Sequence, residues 1–206
     1  MSAGTIVLWR HGQTEYNASK RLQGQVDIAL NETGRAQAAR AAEVLAALEP
    51  TRIVTSDLVR AAATARALGD LTGLEPAPDA RLRERSFGDW EGLTAEQIRS
   101  GWPEAWAAWR QGKEPDGVGA ETRSDAGRRV AEAVEEVAAD LGRDDVLVVV
   151  AHGAAITLGQ SVLLGLDPAA WFGLTGLDNC RWTSMHPNPG REPAWRLAGY
   201  NIGAEE

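Results

Sequence analysis

Three short apolar runs, rich in β-branched and bulky residues, set the pattern of the chain. Thr5 to Trp9 ends at Arg10-His11-Gly12, Arg52 to Thr55 ends at Ser56, and Asp145 to Ala151 ends at His152-Gly153. Runs that stay apolar at successive positions suit strands of a parallel sheet covered on both faces. Alanine-rich stretches between them predict helices over about 33–48, 58–71 and 123–141, with a further helix from Gly153 to Leu164. Segments 177–185 and 194–200, joined by a loop rich in proline and glycine, predict a terminal strand pair. Helices alternating with buried strands indicate an α/β fold, three layers α/β/α, doubly wound on a mostly parallel sheet.

The stretch from about 91 to 119 interrupts that alternation. Its Trp102, Trp106 and Trp109 are spaced to share one helical face, which predicts a small helical cap insertion set over the site. A packing stripe is the plainer reading of that face, and a ligand-binding aromatic wall the sharper one. With 206 residues, 44% hydrophobic content and neither repeat nor linker, residues 1–206 read as a single domain. The tryptophans serve equally well as lid, core or dimer contact, which leaves a homodimer open.

A formal charge of −8 argues against nucleic acid or an anionic membrane as partner, since both reward a broad positive surface. Any anion binding must then come from arginines concentrated locally. The lone Cys180 excludes an intramolecular disulfide and a cysteine-rich metal site, which fits a cytoplasmic setting, and it reads as a packing residue in a strand. The N-terminal apolar run is short and has no basic region ahead of it, so it reads as a first strand rather than a signal peptide or a membrane span.

Ligands of open α/β sheets sit beyond the carboxyl ends of the strands, where His11 and His152 both fall. Each is followed by a glycine, which lets backbone approach a ligand closely. The run Leu8 to Asn17, containing Arg10-His11-Gly12, resembles the Arg-His-Gly signature of the histidine phosphatase superfamily, which includes phosphoglycerate mutases. Four further elements resemble the family's motifs in the family's order. They are Leu30-Asn31-Glu32-Thr33-Gly34 with Gln37-Ala38; Ser56 to Ala61 with Thr64-Ala65; Leu82-Arg83-Glu84 with Phe87-Gly88 and Glu91-Gly92; and Val149 to Gly153.

The resemblance implies a metal-independent phosphomonoesterase that acts through a phosphohistidine intermediate on a small phosphorylated metabolite, with no cofactor. It makes His11 the nucleophile, since a neutral imidazole attacks phosphorus well and two nearby guanidiniums keep it unprotonated. Arg10 and Arg60 are multidentate donors for the charge that phosphoryl transfer spreads over three oxygens, and His152 adds a further donor. Glu84 matches the family's acid: it protonates the leaving oxygen, then deprotonates the attacking water, a role that needs some protonated Glu84 in the substrate complex. Asn17 is expected to touch the phosphoryl group, and Gln23 and Gly24 to border the entrance. Glu121 is expected either to bind substrate or to open a helix. His186 lies outside these motifs and reads as a solvated loop residue, and two histidines committed to phosphate leave no metal site.

Two alternatives share the opening chemistry or the fold. One is a 2,3-bisphosphoglycerate-dependent phosphoglycerate mutase, the other a non-catalytic module that binds phosphorylated metabolites. The family's mutases carry a longer, more basic insertion, whereas here the segment from Glu91 to Glu121 is short, with Arg99, Arg110 and Lys113 as its cations. That favours the phosphatase, and no catalytic residue is missing. Within the family, His11 to Asn17, Gln23-Gly24-Gln25 and Asp178 to Thr183 are similar to an actinobacterial subgroup that dephosphorylates glucosyl-3-phosphoglycerate, so this ester or a related sugar phosphate or phosphoglycerate is the expected substrate.

Overall fold

The first apolar run forms β1 (Thr5–Arg10), and its side chains divide by parity. Ile6 and Leu8 enter one core cluster, Val7 and Trp9 another, and all four are fully buried. Alternate strand residues point to opposite faces, so two covered faces require an apolar residue at every position. In the computed structural model, which describes residues 2–204, β1 is followed by α1 (Glu15–Ala18), α2 (Glu32–Ala46), β2 (Arg52–Thr55), α3 (Val59–Thr72) and the two-residue β3 (Ala77–Pro78). Then come α4 (Ala95–Gly101), α5 (Pro103–Arg110), α6 (Arg123–Ala139), β4 (Val146–Ala151), α7 (Gly153–Leu163), β5 (Trp182–Pro187) and β6 (Trp195–Ile202).

The strands form one six-stranded sheet in the order β3-β2-β4-β1-β5-β6. The pairs from β3 to β1 are parallel, while β5 and β6 are antiparallel additions at one edge. Ala38, Ala41 and Ala42 of α2 and Ala61 and Ala65 of α3 pack with Val7, Trp9, Ile53 and Val148 on one face. On the other face Val130 and Val134 of α6 and Ala155 and Ile156 of α7 pack with Ile6, Leu8, Leu147 and Val149. The result is the expected three-layer α/β/α arrangement around a mostly parallel sheet.

Three local expectations are corrected. Residues 177–181 are not strand: they form a turn in which Cys180 takes φ 57°, and β5 begins only at Trp182. Cys180 is buried in that turn, so its packing role stands while its place in a strand does not. His186 lies in β5 opposite Arg196, not in a loop. The insertion is two helices rather than one, because Trp102 precedes Pro103 and takes φ −136° and ψ 63°, outside the helical region that a following proline disfavours.

Trp106 and Trp109 of α5 pack on the fully buried Trp90, with ring centroids 6.4 and 5.8 Å away, and lie 5.2 Å from each other. With Phe87, Ile98 and Val118 they make a small separate core, and Trp102 packs against its margin. The tryptophan stripe is thus mainly the insertion's own core. Among the described residues no helix is long and apolar enough to cross a membrane.

Candidate active site

Strand register brings the two histidines together. Arg10 pairs with Ala151 across β1 and β4, so the next residues along, His11 and His152, emerge side by side with ring centroids 5.1 Å apart. The His11 backbone N–H donates to Ala151 O at 3.0 Å, extending the ladder one step into the site.

Both rings have their tautomers set by the protein. His11 Nδ1 lies 2.7 Å from Gly12 O; a carbonyl only accepts, so Nδ1 carries the proton and Nε2 keeps a free lone pair. His152 is the reverse. Arg60 Nε donates to its Nδ1 at 3.2 Å, so the proton sits on Nε2, which donates to Ser56 Oγ at 2.8 Å. Both His152 nitrogens are therefore engaged, and the ring's one N–H, expected as a donor to phosphate, is directed to Ser56 Oγ. Burial holds His11 well below its ordinary value of 6.5, reinforced by the charges of Arg10 and Arg60. His152 is lowered likewise, by burial first and then by His11, Arg60 and Arg10.

Arg60, in the first turn of α3, is fully buried, and its other nitrogens donate to Val26 O and Gly24 O, each at 2.8 Å. Arg10 donates from Nη1 to Leu177 O, but its buried Nε has no partner. That N–H lies beside Gly153, where an added Cβ would sit 3.4 Å from it. An unsatisfied buried donor costs about 1–3 kcal/mol, which an anion at this point recovers. Gly153 also opens α7, whose N-terminal dipole favours negative charge.

Glu84 closes the other side. Its Oε1 accepts from Arg85 N at 2.9 Å and Ala155 N at 2.8 Å, and its Oε2 accepts from Ala154 N at 3.2 Å. With two lone pairs on each oxygen, one position on Oε2 stays open. Arg10, Glu84, Gly153 and Ala154 line a cavity of about 730 Å3, whose outer wall includes Arg85, Trp109, Arg123 and Phe172.

The remaining expected residues take supporting places. Asn17 Oδ1 accepts from Thr14 N at 3.1 Å and Asn179 Nδ2 at 3.2 Å, which leaves its NH2 group free; Asn17 lines a smaller cavity of about 280 Å3 that shares Leu22 and Trp109 with the first. Gln23 is buried and accepts from Thr14 Oγ1 at 2.8 Å. Gly24 takes φ 52°, a Cβ there would lie 2.1 Å from the Glu91 carboxylate, and its carbonyl accepts from Arg60. Glu121, expected either to bind substrate or to open a helix, immediately precedes Thr122, the N-cap of α6. It pairs with Arg129 at 2.7 Å and accepts from Ser86 N at 3.2 Å, while Arg129 donates to the carbonyls of Arg81, Arg83 and Glu84. It fastens the segment that carries Glu84 and, like His11, Arg60 and His152, lies behind the residues that line the cavity.

Gly12 is also corrected. Its N–H donates to Thr64 Oγ1 at 3.1 Å, and a Cβ there would lie 2.4 Å from Gly34 O, so it serves close approach of the loop to α2 rather than to a ligand. The turn at 177–181, which the sequence marks by its subgroup resemblance, holds His11 in place. Cys180 N and Asn179 Nδ2 both donate to His11 O, at 3.2 and 3.1 Å, and so fix the residue's backbone. The polar run Asp178-Asn179 ahead of an apolar strand was the available signal. The Cys180 thiol is pushed up to about 12 by burial, which outweighs the charges of Arg10 and Arg40. Among the described residues no three His, Cys, Asp or Glu side chains converge as a metal would require.

Known proteins resemble this chain in sequence and fold. Residues 6–202 match the family model described as histidine phosphatase superfamily (branch 1). A glucosyl-3-phosphoglycerate phosphatase of Mycobacterium tuberculosis is 43% identical over 217 residues, covering 100% of this chain and 97% of that protein. A probable phosphoglycerate mutase of Yersinia enterocolitica is 35% identical, covering 96% and 90%. The solved structure of a mycobacterial glucosyl-3-phosphoglycerate phosphatase in complex with VO3 superposes with a TM-score of 0.87 at 43% identity, covering 97% of this chain and 99% of that one. By sequence and by fold, the chain belongs to the histidine phosphatase superfamily, branch 1.

Proposed function

We propose that this phosphatase hydrolyses glucosyl-3-phosphoglycerate, or a related sugar phosphate or phosphoglycerate, with His11 as its nucleophile. The observation that carries the reading is the His11 tautomer: Nδ1 is held by Gly12 O, leaving an unprotonated Nε2 close to the charges of Arg10 and Arg60.

The steps follow from the geometry. The phosphoryl group takes the unpartnered Arg10 Nε–H beside Gly153, with the Arg60 charge behind it, while the Ala154 and Ala155 N–H groups of α7 stay with Glu84. His11 Nε2 attacks phosphorus, and the bond to the ester oxygen breaks. Glu84 delivers a proton to that oxygen from Oε2, its open position. Water then attacks the phosphohistidine and yields its proton to Glu84. The P–N bond breaks, its electron pair returns to Nε2, and phosphate leaves. Arg60 and His152 act as one hydrogen-bonded unit, and Asn17 presents its free NH2 to the same oxygens. The segment 91–119 acts as a cap through Trp109, which reaches the cavity wall from the insertion's own core. The single buried cysteine supports a cytoplasmic location.

A phosphate-release screen over glucosyl-3-phosphoglycerate, 3-phosphoglycerate and sugar phosphates tests the reading, with mutase activity assayed in parallel with and without 2,3-bisphosphoglycerate. Release that survives EDTA and disappears in His11→Ala is expected. Isomerisation with little release would make the acceptor a second substrate hydroxyl instead of water.

A further inference from the structure

Two arginines on the wall of the large cavity are held by a carboxylate outside the catalytic set. The side chains of Arg85 and Arg123 are only 3% and 10% exposed, and both residues line the cavity that holds Arg10 and Glu84. Each guanidinium lies over an aromatic ring, Arg85 over Phe87 and Arg123 over Phe172, both at 5.3 Å from the centroid. Between them sits Glu114, on the loop joining α5 to α6. Its Oε2 accepts from Arg85 Nη2, and its Oε1 lies 3.4 Å from Arg123 Nη1 and accepts the Arg123 backbone N–H at 2.9 Å.

The charges in this cluster do not balance. Two guanidiniums share one carboxylate, and Arg110 adds another cation to the same cavity wall. Planar donors backed by aromatic rings and fixed by burial are the geometry that captures a carboxylate. Glu114 is the most exposed member, its side chain 37% exposed against 3% and 10% for the two arginines. Of the three side chains it is the one that can withdraw.

We infer that Arg85 and Arg123 form a subsite for a second anionic group, a carboxylate at the non-phosphoryl end of the substrate, and that Glu114 is its internal stand-in, displaced when such a substrate binds. The inference rests on the phosphatase reading of the site. Glu114 is then a specificity-determining residue: a substrate carboxylate competes with it for the arginines. A phosphomonoester without a second anion leaves Glu114 in place and binds through its phosphoryl group alone.

The test is the ratio of kcat/KM for 3-phosphoglycerate to that for glycerol 3-phosphate, which differ in bearing a carboxylate or a hydroxymethyl group at one end. Glu114→Gln keeps the shape and the acceptor for Arg123 N–H but removes the competing charge, so the ratio rises about fivefold or more. Arg123→Met removes the subsite cation, and the ratio falls about tenfold. A general loosening of the loop would move both substrates together and leave the ratio unchanged, which overturns the inference, as does a ratio that falls in Glu114→Gln. Should Glu114→Gln fold poorly, the same ratio in Arg123→Met decides. Hydrolysis of p-nitrophenyl phosphate by the parent separates the two readings. Turnover with an unresponsive ratio removes the subsite and leaves the phosphatase, whereas no phosphate release from any ester removes both.

Discussion

Gly34→Ala sets two physical effects against each other at a residue that never touches substrate. Gly34 lies in the first turn of α2, where Asn31 Oδ1 caps its N–H at 2.8 Å. Alanine is the better helix former by roughly 1 kcal/mol, so propensity alone makes the substitution stabilising. The packing says otherwise. A Cβ on Gly34 would lie 2.0 Å from Gln13 O and 2.7 Å from Gln13 N, whereas real Cβ contacts essentially never fall below 3.0 Å. The obstruction is backbone, so no flexible side chain can yield, and the loop must move by about 1 Å. Overpacking of this kind costs about 1–3 kcal/mol, which exceeds the gain in propensity. Gln13 is two residues from His11, and a 1 Å misplacement of a reacting group costs about 100-fold in rate. Gly34→Ala is therefore expected to lower both stability to urea and kcat on p-nitrophenyl phosphate, the latter by about two orders of magnitude. A variant more stable than its parent, with kcat within about twofold, refutes the reasoning.

Other expectations follow from the same geometry. His11 must be neutral to attack, and burial with Arg10 and Arg60 holds it well below 6.5, so kcat/KM should persist as pH falls through 6.5 and decline only in more acid solution; an acid limb at the ordinary histidine value contradicts this. Stability has the opposite exposure to acid: the unfolded chain protonates His11 and His152 near 6.5 while the folded chain keeps them neutral, so unfolding free energy should fall as pH drops below that value, and a flat profile from about pH 7 to 5 would argue against buried neutral rings. Asn179→Ala removes donors to His11 O and Asn17 Oδ1, and should lower kcat about tenfold with KM little changed; loss confined to KM would remove its positioning role. Trp90→Ala empties the centre of the insertion's core and should cost about 3–5 kcal/mol in urea unfolding, whereas a cost under about 1 kcal/mol would mean that the tryptophans do not hold this segment together.

Much of this was legible in the chain because it depends on local period. β1 and β4 are apolar at successive positions, and a parallel register then places His11 beside His152 without further information. α3 and α6 are long enough for their buried alanine and valine stripes to repeat. What escaped depends on contacts distant in sequence or on segments too short to show a period. β3 has two residues, α1 has four, and the break at Trp102 turns on a single proline. Glu121 sits in motif context, yet its partner Arg129 is one helix away from the site, and only the fold shows that the pair fastens the Glu84 segment. The engagement of His152 by both Arg60 and Ser56 is likewise a tertiary fact, since His152 lies 92 and 96 positions from them in sequence. Asn179 was visible as a polar residue before a strand, but its hold on His11 O spans 168 positions.

The proposed function stands on the passage of phosphate through His11 without a metal. Rapid acid-free quenching of turnover in EDTA, followed by peptide mass analysis, tests it most directly. One phosphoryl group is expected on the peptide containing His11, formed and discharged within a single turnover, labile to acid and absent in His11→Ala. Sustained turnover in EDTA with no phosphoryl enzyme, or a phosphoryl group on another residue, would contradict it.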